Sequence, residues 1–216
     1  MNQFGLPFDW PTEEDTSDFI VTSANELAVR HLEAWGSWPV RACLLVGPRK
    51  SGKSLLGRIF CARSKGQLLD DADQRPEQDV FHAWNRAQET RIPLLMIAEM
   101  APPEWAIRLP DLRSRLQATP VARIGLPDAA LAEALLIKLL AKRGLAMLPE
   151  MAAFVAERIE RSFIAVQRAA DAIDAASLSQ KRAISLPLVR QALEQASLID
   201  RAGRRREHSA HAADNG

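Results

Sequence analysis

One segment of this sequence has the residue types and spacing of a phosphate-binding loop. GPRKSGKS, residues 47–54, fits the pattern G-x-x-x-x-G-K-[ST] in full. An apolar segment that reads as a strand precedes it and a helical segment follows it, which is the context that the pattern requires. Backbone N–H groups in such a loop wrap phosphate oxygens, and the dipole at the start of the helix favours negative charge. A glycine- and serine-rich turn that matches by chance is the alternative, and it would not need this order of strand, loop and helix.

The loop predicts a nucleotide site for ADP or ATP with Mg²⁺. Lys53 is expected to reach the outer phosphates, and the Ser54 hydroxyl is expected to ligate Mg²⁺. The residues expected to contact the nucleotide are Gly47, Pro48, Arg49, Lys50, Ser51, Gly52, Lys53, Ser54 and Leu55. The sequence leaves open which of the two nucleotides is resident.

A pair of carboxylates lies at the end of the next predicted strand. A P-loop enzyme needs such a group at a strand end to hold the metal and orient water. In the segment LLDD, Asp70 is the candidate for Mg²⁺ and Asp71 the candidate that polarises the attacking water. An ordinary acidic turn after a strand is the alternative, and the loop upstream favours the functional interpretation.

Strands and helices alternate in the first part of the chain, which predicts a parallel α/β sheet. The predicted strands are 42–47, 67–71, 93–100 and 121–126, and the predicted helices are 23–35, 54–63, 77–90 and 109–116. About fifteen residues separate Ser54 from Asp70, and a helix occupies most of them. An additional strand and helix would need roughly ten to twelve more residues. The sheet is therefore predicted to be shortened by one βα pair.

After Pro127 the pattern becomes entirely helical, with predicted helices at 128–144, 149–160, 162–180 and 185–196. We therefore predict four regions: an N-terminal arm at 1–18, a nucleotide-binding domain at 19–126, a small all-α domain at 127–200 and a disordered basic tail at 201–216. The tail is rich in charged and small residues and poor in the apolar residues that form a core.

Composition and charge exclude several classes of protein. A hydrophobic fraction of 47% is sufficient for a globular core, and a net charge of +1 gives no electrostatic reason to expect binding to nucleic acid or a membrane surface. The two cysteines, Cys43 and Cys61, lie in apolar segments and do not form a disulfide framework, so a reducing, cytoplasmic location is expected. The four histidines lack metal-ligand spacing. No segment has the pattern of a signal peptide or a membrane span.

These motifs together resemble the AAA+ domain of the bacterial replication initiator DnaA, and more narrowly the Hda family of DnaA-related regulators in its alphaproteobacterial form. The resemblance rests on GPRKSGKS, a strand that ends in Asp-Asp, FHAWNRAQ, PLLMIA, APPEW and LPDLRSRL, and it extends to about Leu198. It implies an α/β fold, an AAA+ P-loop NTPase sheet shortened by one βα pair, followed by a small helical lid domain at 127–200. No helix-turn-helix segment follows residue 200, so sequence-specific DNA binding is not expected.

The first residues of the chain fit a clamp-binding peptide of this family. QFGLPF, residues 3–8, is too short and too broken by Gly5 and Pro7 to form a helix. The resemblance implies that Gln3, Leu6 and Phe8 dock into the groove of the DNA polymerase sliding clamp. An extended segment stiffened by proline would place two apolar anchors at a low ordering cost. An arm that folds onto its own domain is the alternative.

An arginine in LPDLRSRL is the second functional residue that the resemblance implies. In the family, an arginine here projects into the nucleotide site of a neighbouring subunit and stabilises charge on the transferring phosphoryl group. Arg115 matches it, with Arg113 as the second choice, and Arg115 would act in trans on ATP bound to DnaA. Two arginines on a solvated helix face are the alternative.

Two positions depart from the family pattern. Ile97 and Ala98 stand where a polar residue next to the outer phosphate is expected, and neither side chain forms hydrogen bonds. In the lid, Ile164 or Ala165 replaces a nucleotide-sensing arginine, while Arg161 and Arg168 fall on other faces of the helix. These departures predict that nucleotide binds but that intrinsic hydrolysis is weak or absent.

Three functions are consistent with these residues. The first is a regulator that binds the clamp, stimulates ATP hydrolysis by DnaA and so restrains initiation of replication. The second is a self-sufficient AAA+ ATPase of the helicase-loader type. The intact phosphate loop favours it, and the departures from the family pattern in the predicted strand 93–100 and in the lid oppose it. The third is a fragment of a DNA-binding initiator, which the near-neutral charge opposes. The sequence leaves open whether the protein forms a homodimer.

Overall fold

A computed structural model describes residues 19–200 of the chain. The predicted arm, with Gln3, Leu6 and Phe8, and the predicted tail lie outside the described residues. The chain divides into two compact units. Among the described residues, the first contains 19–21, Leu27–Val46 and Gly52–Arg123. The second contains Thr22–Glu26, Gly47–Ser51 and 124–200.

The first unit is built on a parallel sheet of four strands in the order β2-β3-β1-β4. The strands are β1 at Ala42–Val46, β2 at Gln67–Leu69, β3 at Leu94–Ala98 and β4 at Val121–Arg123. Every residue of β1 and β3 is buried, because these central strands are covered on both faces, and this explains their uninterrupted apolar sequences. Only one helix lies between β1 and β2. The prediction of a shortened parallel α/β sheet is confirmed.

Four helices accompany this part of the chain: α1 at Glu26–Glu33, α2 at Lys53–Ser64, α3 at Glu77–Thr90 and α4 at Pro110–Gln117. Helix α2 approaches the sheet closely at Gly57, where a Cβ atom would lie 2.7 Å from a methyl of Leu68 and 3.0 Å from one of Ile97. On the other side, Trp84 of α3 and Leu112 of α4 join Met96 of β3 in one buried cluster. Helices therefore pack on both faces of the sheet.

The second unit contains four helices: α5 at Ala129–Ala141, α6 at Pro149–Arg158, α7 at Phe163–Gln180 and α8 at Leu186–Gln195. Their core consists of apolar side chains with little or no exposure, among them Leu136, Leu140, Val155, Ile173 and Val189. Helix α6 has proline in its first turn, where the missing N–H group has no helical partner to lose. Helix α7 begins at Ser162, whose hydroxyl accepts the N–H of Ala165 at 3.1 Å. The predicted all-α domain is confirmed.

Several predicted elements are shorter in the structure, and two of them have a clear local cause. The strand predicted at 121–126 ends at Arg123, since the next segment leaves the sheet and Gly125 donates its N–H to Ala24 at 2.8 Å. The helix predicted at 23–35 begins only at Glu26, because Thr22 donates its N–H to the side chain of Asn25 at 2.9 Å. In the part of the chain from residue 19 to 200, no helix is both long and apolar enough to cross a membrane.

Asp128 caps helix α5 of the second unit. Its carboxylate accepts the Leu131 N–H at 2.7 Å and the Ser23 hydroxyl at 2.6 Å. Burial alone would raise the pKa of Asp128, but these hydrogen bonds, with contributions from Thr22 and Ala24, outweigh it and hold the pKa below the ordinary 3.8. The unfolded chain therefore binds this proton more tightly than the folded chain does.

The stability that ionised Asp128 contributes is present at neutral pH and lost as the pH falls through and below about 4. We expect Asp128→Ala to lower the free energy of unfolding by about 1 kcal/mol at pH 7. Asp128→Asn keeps the cap and should cost less. The difference between wild type and Asp128→Asn, measured by urea unfolding from pH 7 to 3, should shrink as the pH falls. A difference that stays constant with pH would contradict this assignment.

Candidate functional site

The predicted phosphate loop joins β1 to α2 and has the backbone of an anion-binding turn. Gly47, Lys50 and Gly52 have φ values of 155°, 65° and 86°. A Cβ atom at Gly47 would lie 2.7 Å from the carbonyl oxygen of Ile124, so only glycine fits there. Gly52 is the residue before helix α2, and it has no side chain with which to cap that helix. A phosphate oxygen could therefore take the place of a capping side chain at the start of α2.

The other loop residues differ in exposure. Arg49 and Lys50 are exposed, whereas Gly47, Pro48, Gly52, Lys53, Ser54 and Leu55 are half-buried. Ser51 is 6% exposed, and its hydroxyl oxygen is buried and makes no hydrogen bond with any residue between 19 and 200. A buried hydroxyl in that state carries an energetic cost that a ligand oxygen would relieve.

Lys53 stands among carboxylates of the first unit. Burial lowers the pKa of Lys53, and the negative charges of Glu99, Asp73, Asp70 and Asp71 oppose that shift, Glu99 most strongly. The predicted phosphate-binding cation and both predicted acidic residues are thus brought close enough to interact electrostatically. A lysine in a partly desolvated position is a strong partner for a phosphate, because little water competes for its charge.

Asp70 and Asp71 follow the last residue of β2 directly, whereas the strand predicted at 67–71 included them. One carboxylate oxygen of Asp70 accepts the Asp71 N–H at 3.0 Å, and the Asp70 carbonyl accepts the Arg75 side chain at 3.0 Å. Asp71 is exposed, with a φ of 52°, and it begins a short 3-10 turn at Ala72–Gln74. The structure therefore places Asp70 in a fixed turn and leaves the carboxylate of Asp71 at the surface.

The donor set fits Mg²⁺ held mainly by a nucleotide. Within residues 19–200 no group of three or more His, Cys, Asp or Glu side chains could hold a metal ion on its own. Magnesium usually keeps several waters and takes one or two carboxylates together with substrate phosphates. Ser54 and Asp70 are the residues that would hold it here, together with a bound nucleotide.

Sequence reasoning missed Glu99. Ile97 and Ala98 are each 1% exposed and belong to the sheet core, with Ile97 packed toward Gly57 of α2. Glu99 comes directly after β3, donates its backbone N–H to Asp73 at 3.0 Å, and is the strongest electrostatic partner of Lys53. The polar group at this strand end is therefore Glu99, one position beyond the pair that the sequence analysis considered. The sequence does show an acidic residue, Glu99, after an apolar strand. Only the strand order, however, places the C-terminal end of β3 beside β1.

The two arginines of α4 are in different states. Arg113 donates two guanidinium N–H groups to the carbonyl of Ile107, one of them at 3.0 Å, so its side chain fixes the local backbone. Arg115 is half-buried, and its guanidinium carbon lies 4.9 Å from the ring centroid of Phe81 and 5.0 Å from that of Trp84. Arg115 makes no ion pair within the described part of the chain. Of the two candidates, Arg115 is the one whose guanidinium makes no hydrogen bond with any residue between 19 and 200.

Ile164 and Ala165, the two candidates for the position of the missing lid arginine, both lie in helix α7. Ile164 is 48% exposed in the first turn of α7, and Ala165 is 5% exposed in the helical core. Arg168 is exposed and donates to the Ala196 carbonyl at 3.3 Å. Arg161 precedes the helix and lines a cavity of about 210 Å³ that also contains Asp128 and two glutamates of α6 and its C-terminal turn. That the missing lid arginine makes intrinsic hydrolysis weak or absent stays a prediction.

Comparison with known proteins identifies the second unit by sequence. Residues 129–193 match the family model of the Hda lid domain. Over 122 residues, 54% of this chain, the sequence is 30% identical to an uncharacterized protein of Haemophilus influenzae. That match covers 51% of the Haemophilus protein, so the chain spans about half the length of this relative.

Comparison of structures identifies the fold. Domain III of the Thermotoga maritima replication initiation protein DnaA is similar with a TM-score of 0.71 at 15% identity, covering 88% of this chain and 99% of that one. The replication initiator DnaA bound to AMPPCP and single-stranded DNA gives a TM-score of 0.58 at 16% identity, with coverages of 77% and 67%. A Thermotoga maritima RuvB variant gives 0.54 at 15% identity, with coverages of 78% and 67%. Residues 129–193 are thus similar to the lid domain of Hda, and the fold of the chain is similar to that of domain III of DnaA.

Proposed function

We propose that this protein is a cytoplasmic regulator of replication initiation that acts on DnaA. It binds the DNA polymerase sliding clamp through Gln3, Leu6 and Phe8, and it presents Arg115 to the nucleotide of ATP-bound DnaA. The arginine stabilises the charge that develops on the transferred phosphoryl group. DnaA is thereby converted to its ADP form, and re-initiation is restrained.

The guanidinium of Arg115, which makes no hydrogen bond or ion pair with any residue between 19 and 200, is the observation that carries this proposal. An arginine that acts in trans in this way, called an arginine finger, must reach the phosphate as a cation. A carboxylate of its own chain paired with the guanidinium would compete with the phosphate for it. Arg115 lies near the C-terminal end of α4 and is held by rings instead. The Hda-type lid and the DnaA-like sheet give independent support, because they relate the chain to proteins of replication.

The protein's own nucleotide site has a structural role in this proposal. Lys53 and the N–H groups at the start of α2 bind the phosphates, and Ser54 and Asp70 hold Mg²⁺. When bound, the metal would supply positive charge that offsets the negative charge of the outer phosphates. We propose that ADP or ATP fixes the surface offered to DnaA, with at most weak hydrolysis by the protein itself.

A second candidate function is a self-sufficient AAA+ ATPase, and Glu99 is the observation that favours it. Its position after β3 and its interaction with Lys53 supply a polar group where the sequence analysis expected none. Ile164 in the lid opposes this function, because an isoleucine cannot hydrogen-bond a phosphate. Steady-state ATP turnover by the purified protein distinguishes the two functions.

Binding to the sliding clamp tests the proposed partner. Wild type is expected to bind with a dissociation constant in the micromolar range, typical of a short peptide with two apolar anchors. The combined variant Gln3→Ala, Leu6→Ala, Phe8→Ala should lose binding, measured by calorimetry. Asn2→Ala with Thr12→Ala, which changes flanking polar residues of the same arm, is the matched control and should bind like wild type. Failure of wild type to bind would remove the clamp from the proposal.

A further inference from the structure

Two aromatic side chains of α3 share one cation on α4. Phe81 and Trp84 are three residues apart on α3 and therefore lie on the same helical face. The guanidinium carbon of Arg115 is 4.9 Å from the centroid of the first ring and 5.0 Å from that of the second. Both distances are within the range of about 6 Å for a cation–π interaction. One guanidinium is thus in contact with two rings.

This arrangement holds the cation without neutralising it. Arg115 has no carboxylate partner and makes no side-chain hydrogen bond with any residue between 19 and 200, and its Nε atom is buried. A ring quadrupole attracts a cation but carries no net charge, so the full positive charge remains. The unsatisfied Nε–H costs free energy, which a purely structural arginine would avoid by taking an acceptor. Arg113, two residues earlier, does take one, the carbonyl of Ile107.

Hydrogen bonds connect the rings to the backbone that carries Arg115. The indole N–H of Trp84 donates to the Thr119 hydroxyl at 3.0 Å, and that hydroxyl donates to the carbonyl of Arg115 at 2.8 Å. Trp84 and Thr119 are 8% and 4% exposed, so both bonds are shielded from water. The indole and the last turn of α4 therefore keep a fixed relative position.

We propose that Phe81 and Trp84 are positioning residues for Arg115, which restrict its guanidinium to one orientation while leaving its charge for a phosphate group outside the chain. The proposal rests on the proposed function, in which that phosphate belongs to the nucleotide of DnaA. An arginine loses roughly 2 kcal/mol of rotamer entropy when it is fixed. Because contact with the rings already restricts the Arg115 side chain, less of this entropy is lost when the guanidinium binds the phosphate.

Phe81 is the residue to change, because Trp84 also belongs to the buried core. Phe81→Leu keeps an apolar side chain but removes the ring, and Phe81→Tyr keeps the ring. We expect Phe81→Leu to lower the maximal rate of stimulated ATP hydrolysis by DnaA about threefold to thirtyfold, which corresponds to a cation–π interaction. Phe81→Tyr should retain the wild-type rate, and both variants should bind nucleotide and clamp like wild type.

The orientation of Arg115 is read separately by NMR of arginine side chains in the full-length protein. The Arg115 Nε–H signal, assigned by its absence in Arg115→Lys, should be shifted upfield by the rings in wild type and Phe81→Tyr. In Phe81→Leu that shift should decrease. A wild-type signal with no upfield shift would overturn the contact itself.

The outcomes separate this proposal from the function on which it rests. If wild type stimulates DnaA and Phe81→Leu stimulates equally well, the positioning role is overturned while the proposed function stands. If wild type does not stimulate DnaA at all, the proposed function fails and the positioning role fails with it. A reduced rate in Phe81→Leu, together with the smaller shift of the Arg115 signal, would support the proposal.

Discussion

Replacing Lys53 by alanine is expected to weaken binding of ADP and ATP about hundredfold. Lys53 lies in the first turn of α2, where burial lowers its pKa and four carboxylates interact electrostatically with its ammonium group. Without the ammonium, the negative charges of Asp70, Asp73 and Glu99 would repel the phosphates more strongly. Truncating one partner of a buried, hydrogen-bonded charge pair typically costs 2–5 kcal/mol, which corresponds to about hundredfold or more in affinity.

Calorimetry with ADP and Mg²⁺ measures this effect directly. Arg58→Ala is the matched control, because it removes an exposed cation from the same helix outside the phosphate loop, and it should leave the affinity unchanged. Thermal unfolding without nucleotide should show similar midpoints for wild type and Lys53→Ala. Equal affinity of the two proteins for ADP would contradict the assignment of the phosphate loop.

Replacing Arg115 by alanine is expected to reduce the stimulation of DnaA by about a thousandfold or more. An arginine finger supplied in trans contributes 10³–10⁵ to the rate of nucleoside triphosphate hydrolysis. This effect is much larger than that of Phe81→Leu, because the variant removes the charge itself rather than its orientation. Binding of nucleotide to the protein should be unaffected, since Arg115 is not among the residues that interact with Lys53.

Single-turnover hydrolysis of ATP bound to DnaA measures this effect. Arg113→Ala is the control from the same helix: its side chain is bonded to the Ile107 carbonyl, so its loss should alter local stability more than the maximal rate. Arg115→Lys keeps a charge but not the planar group that contacts the rings, and its rate should fall between wild type and alanine. Full stimulation by Arg115→Ala, or its loss only in Arg113→Ala, would assign the finger elsewhere.

The architecture could be predicted from sequence because its signals are local. The phosphate loop has a fixed spacing, the strands β1 and β3 are continuous apolar runs, and helix α5 begins at a recognisable cap, Asp128. The missing βα pair followed from chain length alone, since the residues between Ser54 and Asp70 suffice for only one helix. Each of these conclusions depends on neighbours in sequence.

The parts that could not be predicted depend on neighbours in space. Glu99 was missed because its meaning comes from the pairing of β3 with β1, which brings the end of β3 near Lys53. The contact of Arg115 with Phe81 and Trp84 joins two helices separated by a whole strand. The early end of β4 arises from a backbone hydrogen bond between Gly125 and Ala24, which no pattern in either segment indicates.

The most direct test of the central claim is the rate at which ATP bound to DnaA is hydrolysed when this protein and a clamp loaded on DNA are added together. We predict that the rate rises with both present, that it does not rise with the clamp alone, and that the protein alone turns over little ATP. The combined variant of Gln3, Leu6 and Phe8 should fail to raise it. An unchanged rate for DnaA, together with turnover by the protein alone at rates normal for AAA+ enzymes, would contradict the account and favour a self-sufficient ATPase.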